Sequence, residues 1–241
     1  TLQALTTRQV AALETRDVAE MSTVSLSNLL STQLQALTTA QIAGLSSQQL
    51  VDLGTSTLKN LTTTQIAAIE TTDVSVLSTV QLLALSSTQL RALNTAQVVE
   101  LTSDQLAGLS SAAVAALTTQ QLSVLSAAKR NYLEVSSLLA LTSSQVISLT
   151  TTQIADLSTS AIAALNTNTI GSLTTAQIVA LTTNQAANLT TTTVKALTTK
   201  QIAVLENEDL AVLTSENIAV LTSVQLQALT TSQIAGLSSQ Q

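Results

Sequence analysis

The strongest constraint on the fold is an eight-residue repeat that runs through the chain without an insertion or a deletion. One apolar column runs from Leu5 to Leu237 and contains Leu at every eighth residue except Met21 and Ile69. A fixed short period is typical of repeat architectures, in which each unit buries its apolar face only by stacking on its neighbours. The sequence therefore predicts a solenoid.

A second apolar column lies five residues after the first and runs from Val10 to Ile234, broken only by Arg130 and Ala186. The octad consensus is L-[T/S]-[T/S]-x-Q-[I/L/V]-A-A, and we number its positions 1 to 8 from the Leu. Positions 6 and 1 are three residues apart, as neighbours on one helical face are. The five-residue gap spans the Thr pair, where a helix has to stop and restart.

Helix start signals recur at the same interval. In the octads that begin at Leu37 and Leu149, Thr38 precedes Gln41 and Thr150 precedes Gln153 by three residues. This spacing is typical of a capping box, in which the Thr hydroxyl accepts from an early backbone N–H and the Gln side chain reaches back. Each octad is therefore expected to start a new short helix.

Three octads carry an acidic version of this signal, with Glu at position 2 and Asp at position 5. The pairs are Glu14 with Asp17, Glu70 with Asp73, and Glu206 with Asp209. Carboxylates in a first helical turn are favoured by the positive end of the helix dipole. These octads are expected to keep their helix starts.

The predicted fold class is an all-α solenoid of very short capped helices, one per octad, with both apolar columns facing the core. Ala is the commonest residue at position 8, with Gly44, Gly108 and Gly236 also among its members, so adjacent turns can approach closely. The alternative is a β-solenoid, because Thr, Val and Ile favour strands. Ala, Leu and Gln favour helix, and the Gly, Asn and Pro of β-turns are rare here.

A longer period is nested above the octad. Residues 1–49 align without gaps to residues 193–241 with 29 identical pairs, at an offset of 192 residues or 24 octads. We expect residues 1–241 to form one continuous solenoid, with residues 1–192 as one superunit and 193–241 as the start of the next. This layout suggests a segment of a much larger protein.

Composition removes most catalytic chemistry. The chain has no His or Cys, so zinc sites and the usual nucleophilic dyads lack their residues. We predict no enzymatic activity, no catalytic, cofactor-binding or metal-binding residues, and no cofactor. The densest carboxylates are Glu206, Glu208, Asp209 and Glu216. A calcium site there is a possible interpretation, and solvated helix starts are the favoured one.

Charge and hydropathy exclude further classes. Eight Lys and Arg residues form no basic stripe, so nucleic acid is not an expected partner. No apolar run reaches the length of a membrane span, and no signal peptide is visible. The most irregular stretch is Ala127 to Leu138, where Arg130 interrupts the second column near Tyr132 and Glu134. It is interpreted as a tolerated defect or as a contact site.

The block-on-block layout and the consensus octad resemble those of the giant repetitive surface and adhesin-type proteins of bacteria. The stretches that come close to the consensus are Leu37 to Gly44, Leu149 to Asp156 and Leu173 to Ala180. The resemblance implies secretion or display at a bacterial cell surface and a structural role. The leading hypothesis is an extended spacer, stalk or self-assembling fibre, with self-association as the expected contact. The alternative is a binding module whose regular Thr and Ser face recognises a surface, glycan, ice or partner protein.

Overall fold

The computed structural model describes residues 2–126, 129, 133 and 140–241, and within them every regular element is a helix. No strand occurs in these ranges, so the all-α prediction is confirmed and the β-solenoid alternative is wrong. The chain divides into two compact units, Thr1–Leu125 and Ser126–Gln241. That residues 1–241 form one continuous solenoid stays a prediction.

The helices follow the octad, and most span five or six residues. Two are 3-10 helices, Leu2–Ala4 and Thr71–Val76. The α-helices of the first unit are Thr7–Ala11, Thr15–Ala19, Thr23–Ser27, Ser31–Ala36, Thr39–Ala43, Ser47–Asp52, Thr55–Asn60, Thr63–Ala68, Thr79–Ala84, Ser87–Ala92, Thr95–Glu100, Ser103–Ala107, Ser111–Ala116 and Thr119–Ser123. Those of the second are Ser143–Ile147, Thr151–Ala155, Thr159–Ala163, Thr167–Ser172, Thr175–Val179, Thr183–Ala187, Thr191–Ala196, Thr199–Val204, Asn207–Ala211, Ser215–Ala219, Ser223–Ala228 and Thr231–Ala235.

The predicted capping boxes start these helices. Thr38 has an extended backbone at φ −72° and ψ 160°, and its hydroxyl accepts from the backbone N–H of Gln41 at 3.2 Å. The Gln41 side-chain oxygen accepts from the backbone N–H of Thr38 at 2.7 Å. Thr150 and Gln153 make the same pair of bonds. The capping-box prediction is confirmed at both octads.

The three acidic octads keep their helix starts by other means. Their helices begin at Thr15, Thr71 and Asn207, as predicted, but none of the preceding Glu side chains caps its helix with a hydrogen bond. The octad of Asp73 forms a 3-10 helix in place of an α-helix. The phase of the octad therefore sets a helix start even where the side-chain cap is missing.

Three octads make one turn of the solenoid within each unit. Helices pack on helices three octads away along the chain, as Ser31–Ala36 packs on Thr7–Ala11 and Thr199–Val204 packs on Thr175–Val179. One turn is therefore 24 residues, and we call any 24 consecutive residues a coil. Each coil has three sides, with one helix on each.

The core consists of the two apolar columns, as predicted. Their described members are buried except at the first and last coils, and Ala186, which interrupts the second column, is also fully buried. Small residues at position 8 allow the coils to approach. A Cβ atom added to Gly44 would lie 2.5 Å from the Thr15 methyl carbon one coil earlier.

Two further predictions from the sequence concern the irregular stretch and the absence of a membrane span. Arg130, Tyr132 and Glu134, which mark the irregular stretch, lie outside the described residues. Within the ranges that are described, the helices are too short to cross a membrane.

Candidate functional site: a glutamine bridge between coils

Within each unit, glutamines at position 5 connect a coil to the one before it. While the Gln41 side-chain oxygen accepts from Thr38, its side-chain nitrogen donates to the backbone carbonyls of Val10 and Leu13, at 3.1 and 2.7 Å. These acceptors lie 31 and 28 residues earlier, on the same side of the preceding coil. We call this arrangement the Gln bridge.

The Gln bridge recurs in both units with the same two sequence separations. Its described members that donate to both carbonyls are Gln33, Gln41, Gln49, Gln65, Gln81, Gln89, Gln97, Gln105, Gln121, Gln177, Gln185, Gln201, Gln225, Gln233 and Gln241. All but the last are buried. The bridge is thus a regular polar feature of both units in the part of the chain that the structure describes.

The bridge solves a problem that very short helices create. A helix of one to two turns leaves most of its N–H and C=O groups without partners inside the helix. One Gln side chain accepts from the N-terminus of its own helix and donates to carbonyls at the C-terminus of a helix one coil earlier. A buried amide with its donors and acceptor used stabilises the fold, whereas an unsatisfied one is costly.

The first coil shows that the preceding coil is what buries the glutamine. Gln9 makes the capping bonds to Thr6 within its own octad, but no earlier coil lies beside it and its side chain is exposed. Gln201 occupies the matching place in the duplicated tract and is only 2% exposed. Capping alone therefore leaves this side chain in solvent.

Sequence reasoning found the capping half of the bridge and missed the half between coils. The signal that was available is the choice of Gln over Glu. A capping box accepts either residue, and the helix dipole favours Glu, yet Glu stands at no position 5 in the chain. Only the amide can donate to carbonyls, so the exclusion of Glu indicates a second, donating role.

Several octads have another residue at position 5, and these show what the bridge requires. The Asn217 amide is shorter and donates to one carbonyl, that of Leu189, at 2.9 Å. Asp73 cannot donate when ionised, and it instead accepts from the Ser47 hydroxyl at 2.6 Å. A carboxylate at this position thus reverses the direction of the hydrogen bonding.

Asp209 is the most perturbed of these replacements. It is only 1% exposed, and its Oδ2 atom has no hydrogen-bond partner. Burial raises the pKa of Asp209, the hydrogen bond with Thr183 opposes this rise, and repulsion from Glu206 and Glu208 adds to it. The charged form is therefore disfavoured at this position.

These contacts correct part of the interpretation of the acidic cluster. Solvated helix starts were expected at Glu206, Glu208, Asp209 and Glu216, but Asp209 is buried between coils because position 5 faces the preceding coil. Glu206, Glu208 and Glu216 are exposed. Among the described residues, no three acidic side chains are grouped so that they could hold a metal ion.

Comparison with known proteins identifies the repeat. The family model described as the ALTTAQ repeat matches residues 10–47, 66–103, 159–191 and 202–239, which together exceed half of the chain. The matched segments lie in both units, so the octad on either side of the division is of one kind. No curated protein sequence matches the chain.

Proposed function

The chain belongs to the ALTTAQ repeat family, and we propose that it acts as a non-enzymatic structural spacer, stalk or self-assembling fibre within a large protein. The observation that carries this proposal is the Gln bridge, which within each unit connects a coil to the one immediately before it. Stability in such an array grows by nearest-neighbour contacts, so length can be added without redesigning a core. The lack of His and Cys agrees with a role that involves no catalysis.

Solution scattering on a length series tests the proposal. Residues 81–104 make one coil of the first unit and can be duplicated once or twice in the full chain without changing the octad phase. We expect the maximum dimension to grow by a constant step of about 8–10 Å per added coil, the usual distance between packed helices. The cross-section should stay constant. Equal growth in all dimensions would contradict a spacer.

The cellular location belongs to the same proposal. The resemblance to giant repetitive bacterial surface proteins supports secretion or display at a bacterial cell surface. We expect antibodies against the repeat to label unpermeabilised source cells. Labelling that requires permeabilisation would contradict an extracellular site.

One observation favours a second candidate, a binding module. Position 2 hydroxyls cap the helices, but position 3 is also Thr or Ser in most octads. On one side of the first unit, Thr39, Thr63 and Ser87 are exposed and follow one another at one residue per coil. Capping does not account for this row, and a regular row of hydroxyls suits a glycan or another ordered surface.

Substitution of the row separates binding from folding. The variant with Thr39→Val, Thr63→Val and Ser87→Ala removes the three hydroxyls while leaving the caps at position 2 intact. A binding module predicts that retention on insoluble cellulose, chitin or ice falls for this variant, with the unfolding midpoint nearly unchanged. A matched variant at position 3 of another side, with Thr119→Val at an exposed residue and Thr95→Val at a half-buried one, is the control. No retention of the parent chain on any of the three would contradict this candidate.

A further inference from the structure

We propose that a calcium ion binds between two coils of the second unit, held by the Asp209 carboxylate and by backbone carbonyls of the preceding coil. The ion takes the place of the amide group that a Gln bridge would supply there. This inference concerns a binding site and does not depend on the proposed structural role.

The Oδ2 atom of Asp209 is a buried oxygen that lacks a partner. Asp209 is only 1% exposed, and in the part of the chain that the structure describes its Oδ2 atom has no hydrogen-bond partner. A buried polar atom of this kind is rare in native proteins and indicates strain, or a water or an ion at the site. An ionised carboxylate is especially costly to bury without a compensating group. The atom therefore requires a donating or positively charged partner.

A second buried oxygen lacks its donor in the same register. The Gln bridge joins position 5 to carbonyls 28 and 31 residues earlier, which for Asp209 are those of Leu181 and Ile178. The two coils are in contact, since the helix Asn207–Ala211 packs on the helix Thr183–Ala187. Leu181 is 4% exposed, and within the described ranges its carbonyl accepts no backbone hydrogen bond. Both coils thus bring an unsatisfied oxygen to this contact.

Asn217 shows the reach of a side chain of this length at position 5. Its Nδ2 atom donates to the carbonyl of Leu189, 28 residues earlier, at 2.9 Å. Asparagine and aspartate have the same shape, so the same approach at Asp209 sets a carboxylate oxygen against the Leu181 carbonyl. Two oxygens repel each other unless a cation lies between them. Ca²⁺ binds carboxylate and carbonyl oxygens together, at about 2.3–2.6 Å.

The surroundings of Asp209 attract a cation and leave it a way in. Glu206 and Glu208 lie close enough for their charges to repel that of Asp209, and both are exposed. No Lys or Arg of the described residues forms an ion pair with any of these three carboxylates. The exposed Thr183 hydroxyl donates to Asp209 from the preceding coil and adds another oxygen at the surface. A concentration of negative charge of this kind raises the local concentration of cations.

One buried carboxylate is enough for such a site, because backbone carbonyls and water supply other ligands of Ca²⁺. A group of three acidic side chains, which the described residues lack, is therefore not required. So few protein ligands correspond to the weak class of protein calcium sites, with a Kd of about 10⁻⁴–10⁻³ M. The proposal revises, at Asp209 alone, the expectation that no residue binds a metal.

Asp73 is the internal comparison. It also stands at position 5 and is buried, but it accepts from the Ser47 hydroxyl at 2.6 Å, and neither of its side-chain oxygens is a buried atom without a partner. We therefore expect one ion per chain.

Equilibrium dialysis of the full chain against radioactive calcium tests the proposal. Up to about 10 mM Ca²⁺, roughly ten times the upper end of the expected Kd, the parent should bind one ion and Asp209→Asn none. Because asparagine is natural at position 217, this variant should fold, and helical circular dichroism checks it. Replacing EDTA by Ca²⁺ should raise the urea midpoint of the parent, since a ligand of the folded state stabilises it. The midpoint of Asp209→Asn should not move.

Two matched variants make the result specific. Asp73→Asn changes position 5 in the first unit, and Glu216→Gln removes an exposed carboxylate of the second unit; both should bind the ion as the parent does. Mg²⁺ should bind more weakly than Ca²⁺, because it requires near-ideal octahedral geometry. Absence of a bound ion in the parent would overturn the proposal, as would equal binding by the parent and Asp209→Asn, which would indicate surface charge alone.

Discussion

At the scale of single residues, the amide at position 5 determines whether neighbouring coils are held together. Gln97 accepts from the backbone N–H of Asn94 at 2.8 Å and donates to the carbonyls of Ile66 and Ile69 at 3.2 and 2.7 Å. It is fully buried. Any residue that caps without donating leaves those carbonyls unsatisfied, at a cost of about 1–3 kcal/mol for each unsatisfied group.

Gln41→Glu tests this requirement with almost no change in shape. The carboxylate keeps the acceptor for Thr38 but faces the carbonyls of Val10 and Leu13 without a donor. We expect the free energy of unfolding to fall by about 2–5 kcal/mol, as for a buried charge without a partner. Urea denaturation followed by circular dichroism measures it. Gln9→Glu, which lies in solvent, should change it by less than about 0.5 kcal/mol; equal losses in both variants would exclude the bridge as the cause.

Asp209 is a carboxylate that occurs naturally at position 5. The substitution Asp209→Asn should therefore remove the destabilisation that this carboxylate causes. Asn217 shows that an asparagine amide at position 5 reaches a carbonyl of the preceding coil. We expect the variant to raise the free energy of unfolding by about 1 kcal/mol at neutral pH, the usual net value of one hydrogen bond. Asp17→Asn is the matched control, because Asp17 occupies the same place in the duplicated tract and is exposed.

The raised pKa of Asp209 adds a pH dependence with a definite sign. The folded state holds the proton more tightly than the unfolded state, so the folded chain is favoured at low pH and loses stability as pH rises from about the ordinary value of 3.8 through the folded pKa. The advantage of Asp209→Asn over the parent should therefore be greatest at neutral pH and vanish under acid conditions. Urea midpoints of both proteins across this pH range provide the measurement; a constant difference would contradict the assignment.

At the scale of helices, local sequence predicted the elements well and their partners poorly. Thr38 and Gln41 are three residues apart, so their bonds are readable from the sequence. The carbonyls of Val10 and Leu13 are about 30 residues away, and nothing local states which earlier octad a helix will contact. Stacking at three octads per coil is a tertiary result, because helices this short owe their stability to packing on neighbours.

The octad of Leu30 allows the contribution of one side-chain helix cap to the free energy of unfolding to be measured. Leu30 has no hydroxyl to cap the helix Ser31–Ala36, although Gln33 still accepts from its backbone N–H at 2.9 Å. In the duplicated tract Thr222 stands in its place and accepts from the N–H of Gln225. Leu30→Thr should therefore raise the free energy of unfolding by about 1 kcal/mol.

The reverse change, Thr222→Leu, should lower the stability of the second unit by a similar amount. Urea denaturation of the two variants beside the parent tests the pair. Loss of stability in Leu30→Thr would mean that the leucine contributes more through its half-exposed side chain than the missing cap costs.

At the scale of the whole molecule, the 24-residue coil explains the length of the superunit. The offset of 192 residues is 24 octads, which is eight coils of three octads. A duplication of this size is a whole number of coils, so it keeps the sequence in phase with the three octads per coil that each unit shows.

This rule predicts that a longer deletion does less damage than a shorter one. Removing residues 81–104 takes out one coil, joins Val80 at position 4 to Gln105 at position 5, and leaves both apolar columns and the spacing of the Gln bridges in phase. Removing residues 81–92 joins Val80 to Leu93 at position 1, so the octad at the junction loses its residues at positions 5 to 8. Every bridge that spans the junction then meets the wrong atoms. We expect the 24-residue deletion to keep the helical circular dichroism per residue and a cooperative urea transition with a slightly lower midpoint, because one stacking contact is lost. The 12-residue deletion should lose both the helical signal of the first unit and its transition. Comparable spectra and midpoints for the two deletions would show that contacts 28 and 31 residues apart do not hold the coils together.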